Sequence, residues 1–237
     1  MLRFFLLFCA LARIAVAATP PVLEAALKTF RGDPPPGWSF TQSTHADGAS
    51  VVERSDATKA VFDRWSLVEK DGRAPTTHEL REYADLRSRR SPGGTAPKIT
   101  EQLDLTKIET VADTADRVTY RCPLLPGEEG DGTAKFLRAT IVVHKPTTTI
   151  ESIELASTGE FAPTFGVKIA EMKTTMTYAL PFGDTPALPQ KVMTRLRGKA
   201  FVFKSLDGDM TVTFSDYAKA TKPSEKSAKD QPPSTKE

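Results

Sequence analysis

Four of the five methionines, Met172, Met176, Met193 and Met210, crowd into the last third of the chain. Met172, Thr174, Met176, Tyr178 and Leu180 alternate with Lys173, Thr175, Thr177 and Ala179. In an extended strand the first set shares one face. Methionine is flexible and polarisable, which suits a surface that must accept acyl chains of varied shape. With Leu137, Ile141 and Val143, which alternate in an earlier run, these methionines and Tyr178 form a candidate apolar groove. Taken singly, each methionine reads first as core filling against helices; taken as a set, they read as a groove.

Other reactive residue types are sparse. His45, His78 and His144 fall in different elements with no metal-ligand spacing, and a zinc site needs three or four converging ligands. No metal and no cofactor are expected. Cys122 alternates with Tyr120 and precedes Pro123, which reads as a structural thiol at a strand end. Gly-x-Ser-x-Gly, His-Glu-x-x-His and phosphate-loop patterns are missing from the sequence, so the chain is not read as an enzyme. Glu128 to Gly132 is acidic but lacks the length of a calcium loop, so a solvated hairpin tip is expected. Arg87, Arg89 and Arg90 suit anionic headgroups, and suit the negative end of a helix equally well.

Met1 to Ala17 has the three zones of a secretory leader: Arg3, the apolar Phe4 to Ala12, and small residues at Ala15-Val16-Ala17. Cys9 belongs to the apolar zone. That zone is far shorter than the ~20 residues of a membrane-spanning helix, so export to the periplasm of a Gram-negative bacterium is expected. Loss of Arg3 and Arg13 leaves 30 basic and 30 acidic residues. Such balance argues against a nucleic-acid partner, which calls for a basic face. One remaining cysteine permits no internal disulfide. Stability must come from a packed core, within reach of roughly 200 ordered residues.

The elements that would position the methionines are mostly strands. Val22, Leu23, Ala26, Leu27 and Phe30 recur at helical spacing, and Gly32 with Pro34-Pro35-Pro36 stops a helix over Val22–Arg31. Thr76 and Glu79 have capping-box spacing ahead of a second helix over Thr77–Arg90 with a thin apolar face: Leu80, Tyr83, Ala84 and Leu86. Strands are predicted from Trp38, over Val61–Val68, around Tyr120, over Leu137–His144 and Ile150–Leu155, then over Val167–Leu180, Lys191–Gly198, Lys199–Leu206 and Asp209–Tyr217. These runs imply about ten antiparallel strands with short turns. The fold class is therefore α+β, mainly β: a strongly curved sheet or incomplete barrel around two or three covering helices. One domain over 18–221 is expected, followed by a disordered tail over 222–237, where Lys, Ser, Pro and acids leave no large apolar residue.

This order of elements resembles the periplasmic lipoprotein-sorting carriers of the LolA and LolB type. The resemblance is best from Lys135 to Tyr217: Thr140-Ile141-Val142-Val143, a Pro-Thr turn, a paired strand, the long Lys168–Leu180 strand, Leu188-Pro189, and Phe214-Ser215-Asp216-Tyr217. It is a likeness of layout, and no cargo-holding residue of those carriers maps onto a position here. Arg64-Trp65-Ser66-Leu67 with Asp71-Gly72-Arg73 and Glu79-Leu80 is similar to a stretch in exported bacterial proteins of this layout. The resemblance implies a half-barrel holding a lipid or lipoprotein acyl chain.

Two functional readings follow, ahead of a third, a hydrolase with an unrecognised site. The first is a monomeric, non-catalytic carrier, with Leu137, Ile141, Val143, Met172, Met176, Tyr178, Met193 and Met210 around an acyl chain in its concavity. The second is an envelope interaction protein that uses the same sheet, with its interior filled, as a scaffold for other envelope proteins.

Overall fold

The computed structural model describes residues 19–89, 98–127, 132–201 and 203–220. The leader, the tail beyond 221, the Ser91-Pro92-Gly93-Gly94 helix stop and most of the acidic turn lie outside the described residues.

Among the described residues, eleven strands form one antiparallel sheet that curves without closing. They are β1 (Trp38–Ala46), β2 (Ala49–Ser55), β3 (Trp65–Lys70), β4 (Glu109–Asp113), β5 (Arg117–Pro123), β6 (Leu137–His144), β7 (Thr149–Ser157), β8 (Val167–Ala179), β9 (Leu188–Ala200), the short β10 (Lys204–Ser205) and β11 (Gly208–Lys219). Across the sheet the order is β3-β2-β1-β11-β9-β8-β7-β6-β5-β4, with β10 paired to the end of β9. The described residues also include two α-helices, α1 (Pro21–Thr29) and α2 (Thr77–Arg89), and three short 3-10 turns. The half-barrel architecture expected from the strand pattern is therefore present.

Helix α1 starts with Pro21 in its first turn, where a missing N–H costs nothing, and ends as Phe30 turns extended. Its Leu23 and Ala26 are buried with Ala139, Ile141 and Val143 of β6 and Ile150 and Ile153 of β7. Val118, Tyr120 and Cys122 of β5 extend the same cluster, and Leu103 and Leu124 close its end. This inner face of β5–β7 is filled.

The strand boundaries depart from the expectation in four places. The chain from Asp56 to Arg64 turns instead of extending, because the Asp56 carboxylate accepts from the Thr58 N–H and hydroxyl and Asp56 N–H donates to the Arg64 carbonyl. Strand β3 therefore begins at Trp65. Strand β2 follows β1 through Asp47-Gly48, both at positive φ, a two-residue turn that hairpins favour. Strand β4 is exposed along its whole length and carries no hydrophobic alternation to announce it. The two runs predicted over Lys191–Gly198 and Lys199–Leu206 are one strand, β9, plus the turn into β10. Gly198 does not break β9: a Cβ there would sit 2.7 Å from the Lys168 carbonyl oxygen, so glycine allows the neighbouring backbone to approach.

Candidate functional site

Strand register decides which side chains share the inner face. Ile141 of β6 pairs with Ile153 of β7, which pairs with Met176 of β8. Met176 pairs with Val192 of β9, Val192 with Val212 of β11, and Val212 with Thr44 of β1. One row of side chains thus runs from the filled half of the sheet into the other half. Met172 lies opposite Leu196, Thr174 opposite Thr194, and Met210 also opposite Thr194. Met172, Met176 and Met210 therefore share this face.

Beyond β7 the covering changes. Helix α1 and the 3-10 turns stop, and Met172, Met176 and Leu196 are only partly buried at the margin of the core. An open cleft of ≈ 480 Å³ lies here, walled by Phe40, Trp65, Met176, Tyr178, Val192 and Phe214. The Phe40 ring stands edge-on to Trp65 at 5.4 Å and 6.0 Å from Phe214, so the cleft floor is aromatic. Arg64 and Lys191 sit among the lining residues with Asp33. A second, mainly apolar cleft of ≈ 500 Å³ adjoins the first through Tyr178 and passes Ala26, Phe30, Pro35, Pro36, Ile150 and Pro181. Tyr178 separates the two, holding Phe30 edge-on at 5.0 Å. Burial pushes its phenol pKa upward, so the ring stays neutral. Both volumes fall in the ~300–1,000 Å³ span of small-molecule sites.

Helix α2 meets the β2–β3 side of this region through a stripe of polar and aromatic side chains. Its only positions that are not exposed are Glu79, Tyr83 and Arg87, four residues apart and hence on one stripe. Leu80 and Leu86, predicted to face inward, are exposed. Tyr83 OH donates to a Glu53 carboxylate oxygen at 2.7 Å, Arg87 donates to the same oxygen, and Gln42 donates to the other at 3.3 Å. The Arg87 guanidinium also lies 4.4 Å over the Trp65 ring, a cation–π contact with a wall of the cleft. Burial and then the Glu53 carboxylate push the Tyr83 pKa up to about 12. At the other end of α2 the expected capping box is present: Glu79 accepts from Thr76 N–H at 2.8 Å, and Thr76 Oγ1 accepts from Glu79 N–H at 3.3 Å. Arg73 grips the same Glu79 carboxylate with both terminal nitrogens.

Several residues assigned to the groove from sequence do not line it. Leu137, Ile141 and Val143 lie in the closed core beneath α1, the last two fully buried, because the helix occupies the space in front of β6. Met193 pairs with Thr175 and Thr211, so it lies on the outer face, where it is 41% exposed. Met172 and Met210 border the region without walling the cleft. Met176 and Tyr178 do wall it. Sequence reasoning missed the aromatic walls Phe40, Trp65 and Phe214, whose signal was aromatic residues in three separate strand runs.

The histidines do not converge, and no metal-binding group occurs among the described residues. Cys122 is buried, and burial followed by the Asp104 charge pushes its thiol up to about 11. At neutral pH it is a protonated core side chain. No described helix is long and apolar enough to cross a membrane. Comparison with family models, curated proteins and solved structures finds no match to this chain.

Proposed function

We propose that the protein is a non-catalytic carrier that binds an apolar chain, of a lipid or an acylated protein, in the aromatic cleft. The observation that carries this reading is the division of the inner face. Over β5–β7 the inner face is mostly buried beneath α1, whereas across β8, β9, β11 and β1 the same face is walled and left open. Binding there would rest on apolar burial, about 0.8 kcal/mol per methylene, with rim groups such as Arg64 and Lys191 meeting a polar head. Such chemistry needs no nucleophile or metal. The layout likeness to lipoprotein-sorting carriers and the leader-like Met1–Ala17 support the same reading and a periplasmic site of action.

Trp65 supplies the test. In a Trp38→Phe protein, Trp65 is the one remaining tryptophan, and a brominated fatty acid bound in the cleft quenches its emission. Saturable quenching that weakens about ten-fold for each two methylenes removed supports the carrier. Absence of quenching, with chain length immaterial, supports the filled scaffold instead.

A further inference from the structure

The far end of the β8–β9 hairpin forms a finger that runs past the pairing of its neighbours β7 and β11. Strand β7 pairs with β8 only at 173–177, and β11 pairs with β9 only at 191–196. Beyond those points β8 and β9 run on together to Val167 and Ala200, with β10 alongside. Residues 167–172 of β8 and 197–200 of β9 form this extension, with Val167 and Met172 packed against the core. Its root is anchored by Ile169 and Phe161, both buried, with Phe161 stacked on Phe136 at 5.5 Å.

The tip is built differently. Phe165 is 94% exposed and Phe203 is 89% exposed, with Phe201 57% exposed between them. Backbone hydrogen bonds join them: Phe201 N–H donates to the Gly166 carbonyl at 2.7 Å, and Phe203 N–H donates to the Phe201 carbonyl at 2.8 Å. The Phe201 ring covers Gly166 so closely that a Cβ there would lie 2.7 Å from it. Phe201 itself holds φ at +49°, a conformation a bulky residue adopts only under constraint from its surroundings. Four residues earlier the fold buries Phe161, so the exposure of Phe165 is not a general feature of this loop.

Charge selects the partner. The acids of the two loops are engaged: Glu160 with Lys168, Asp209 with Arg197, and Asp207 with the Gly198 N–H. Lys199 and Lys204 flank the aromatic turn, exposed, and pair with no acid among the described residues. At the opposite end of the sheet the exposed Phe62 and Phe182 stand beside Asp63 and Asp184, which disfavours an anionic surface. Although Lys199 also lies within electrostatic reach of Asp207, and Arg197 of Glu171, apolar rings framed by exposed lysines match a bilayer interface, where rings enter the acyl region and lysines meet phosphates.

We propose that the finger tip docks the protein on an anionic membrane, with Phe165 and Phe203 inserted and Lys199 and Lys204 on the lipid phosphates. This docking is independent of the acyl cleft.

The test is co-sedimentation with vesicles of phosphatidylcholine alone and of phosphatidylcholine with phosphatidylglycerol, at low and high salt. The protein is expected to bind the anionic vesicles, less so at high salt. Phe165→Ser and Phe203→Ser should each weaken partitioning roughly ten-fold, and Lys199→Glu with Lys204→Glu should erase the preference for phosphatidylglycerol. Phe203→Ser should melt like the parent, since its ring touches water, and should keep the bromolipid quenching of Trp65. Vesicle binding that survives both Phe substitutions overturns the proposal, as does a parent protein that stays in the supernatant. So does a dimer that Phe203→Ser dissociates, which would assign the tip to a second copy.

Discussion

Replacing Glu53 by alanine should release α2 from the sheet while leaving the core intact. The helix buries no residue, so its hold on the sheet depends on the Glu79, Tyr83 and Arg87 stripe. Glu53 is the acceptor for Tyr83, Arg87 and Gln42 together, and the Arg87–Glu53 pair is well shielded, with side chains 24% and 12% exposed. A hydrogen bond to a charged group contributes ~1.5–3 kcal/mol, and stranding a buried charge costs ~3–5 kcal/mol. Arg87 keeps some water and its place over Trp65, so a net loss of about 2 kcal/mol is expected. That amounts to a roughly 30-fold fall in amide protection for Thr77–Arg89, readable by hydrogen-exchange mass spectrometry. The β6–β7 hairpin, packed under α1, should exchange as in the parent, and Glu53→Gln, which keeps an acceptor, should lose less. Unchanged exchange in α2 would refute the latch. An equal fall in β6–β7 would show that Glu53 supports the whole fold instead.

Other consequences follow from the same structure. Glu79 has its carboxyl held well below the glutamate range, first by Arg73 and then by the Thr76 N–H. A depressed folded pKa stabilises above the ordinary value of 4.5 and is lost as pH falls through the folded one. Protection at the start of α2 should therefore hold from pH 7 to about pH 5 and decline below it, and Glu79→Gln should flatten that decline; a parent profile already flat to strong acid would contradict the cap. Cys122, with its thiol pushed up to about 11, should resist iodoacetamide until denaturant is added, and rapid labelling of native protein would show that β5 opens. Gly198→Ala forces a Cβ against the Lys168 carbonyl and should cost ~1–3 kcal/mol, lowering Tm by about 2–12 °C; an unchanged Tm would mean the strands separate freely there.

The fold class was legible because the alternating strands β6, β7 and β8 carry regular inward residues, and because Pro and Gly bracket α1. The segments that escaped are those whose stability is tertiary. Strand β2 reads Ala-Ser-Val-Val-Glu-Arg-Ser, with Glu53 facing inward to serve Tyr83 and Arg87, so no apolar alternation marks it; the Asp47-Gly48 turn before it was the available clue. Strand β4 is exposed throughout and exists by pairing to β5. Methionine clustering pointed to the right strand, since Met176 walls the cleft. It could not say that β6 is roofed by α1, nor that Met193 falls one residue out of phase with Val192. A one-residue offset reverses the face a side chain takes, and that offset is set by pairing with β8 and β11. The walls Phe40, Trp65 and Phe214 come from strands far apart in sequence, brought together by a β1–β11 pairing that joins the two ends of the chain.

Methyl resonances of carbon-13 methionine, followed while a long-chain fatty acid is titrated in, test the cleft most directly. Met176 lies in its wall and Met193 on the opposite face of the neighbouring strand. Saturable movement of the Met176 methyl with Met193 left in place is the predicted result. A stationary Met176 methyl, or equal movement of both, would contradict an acyl chain seated on the inner face.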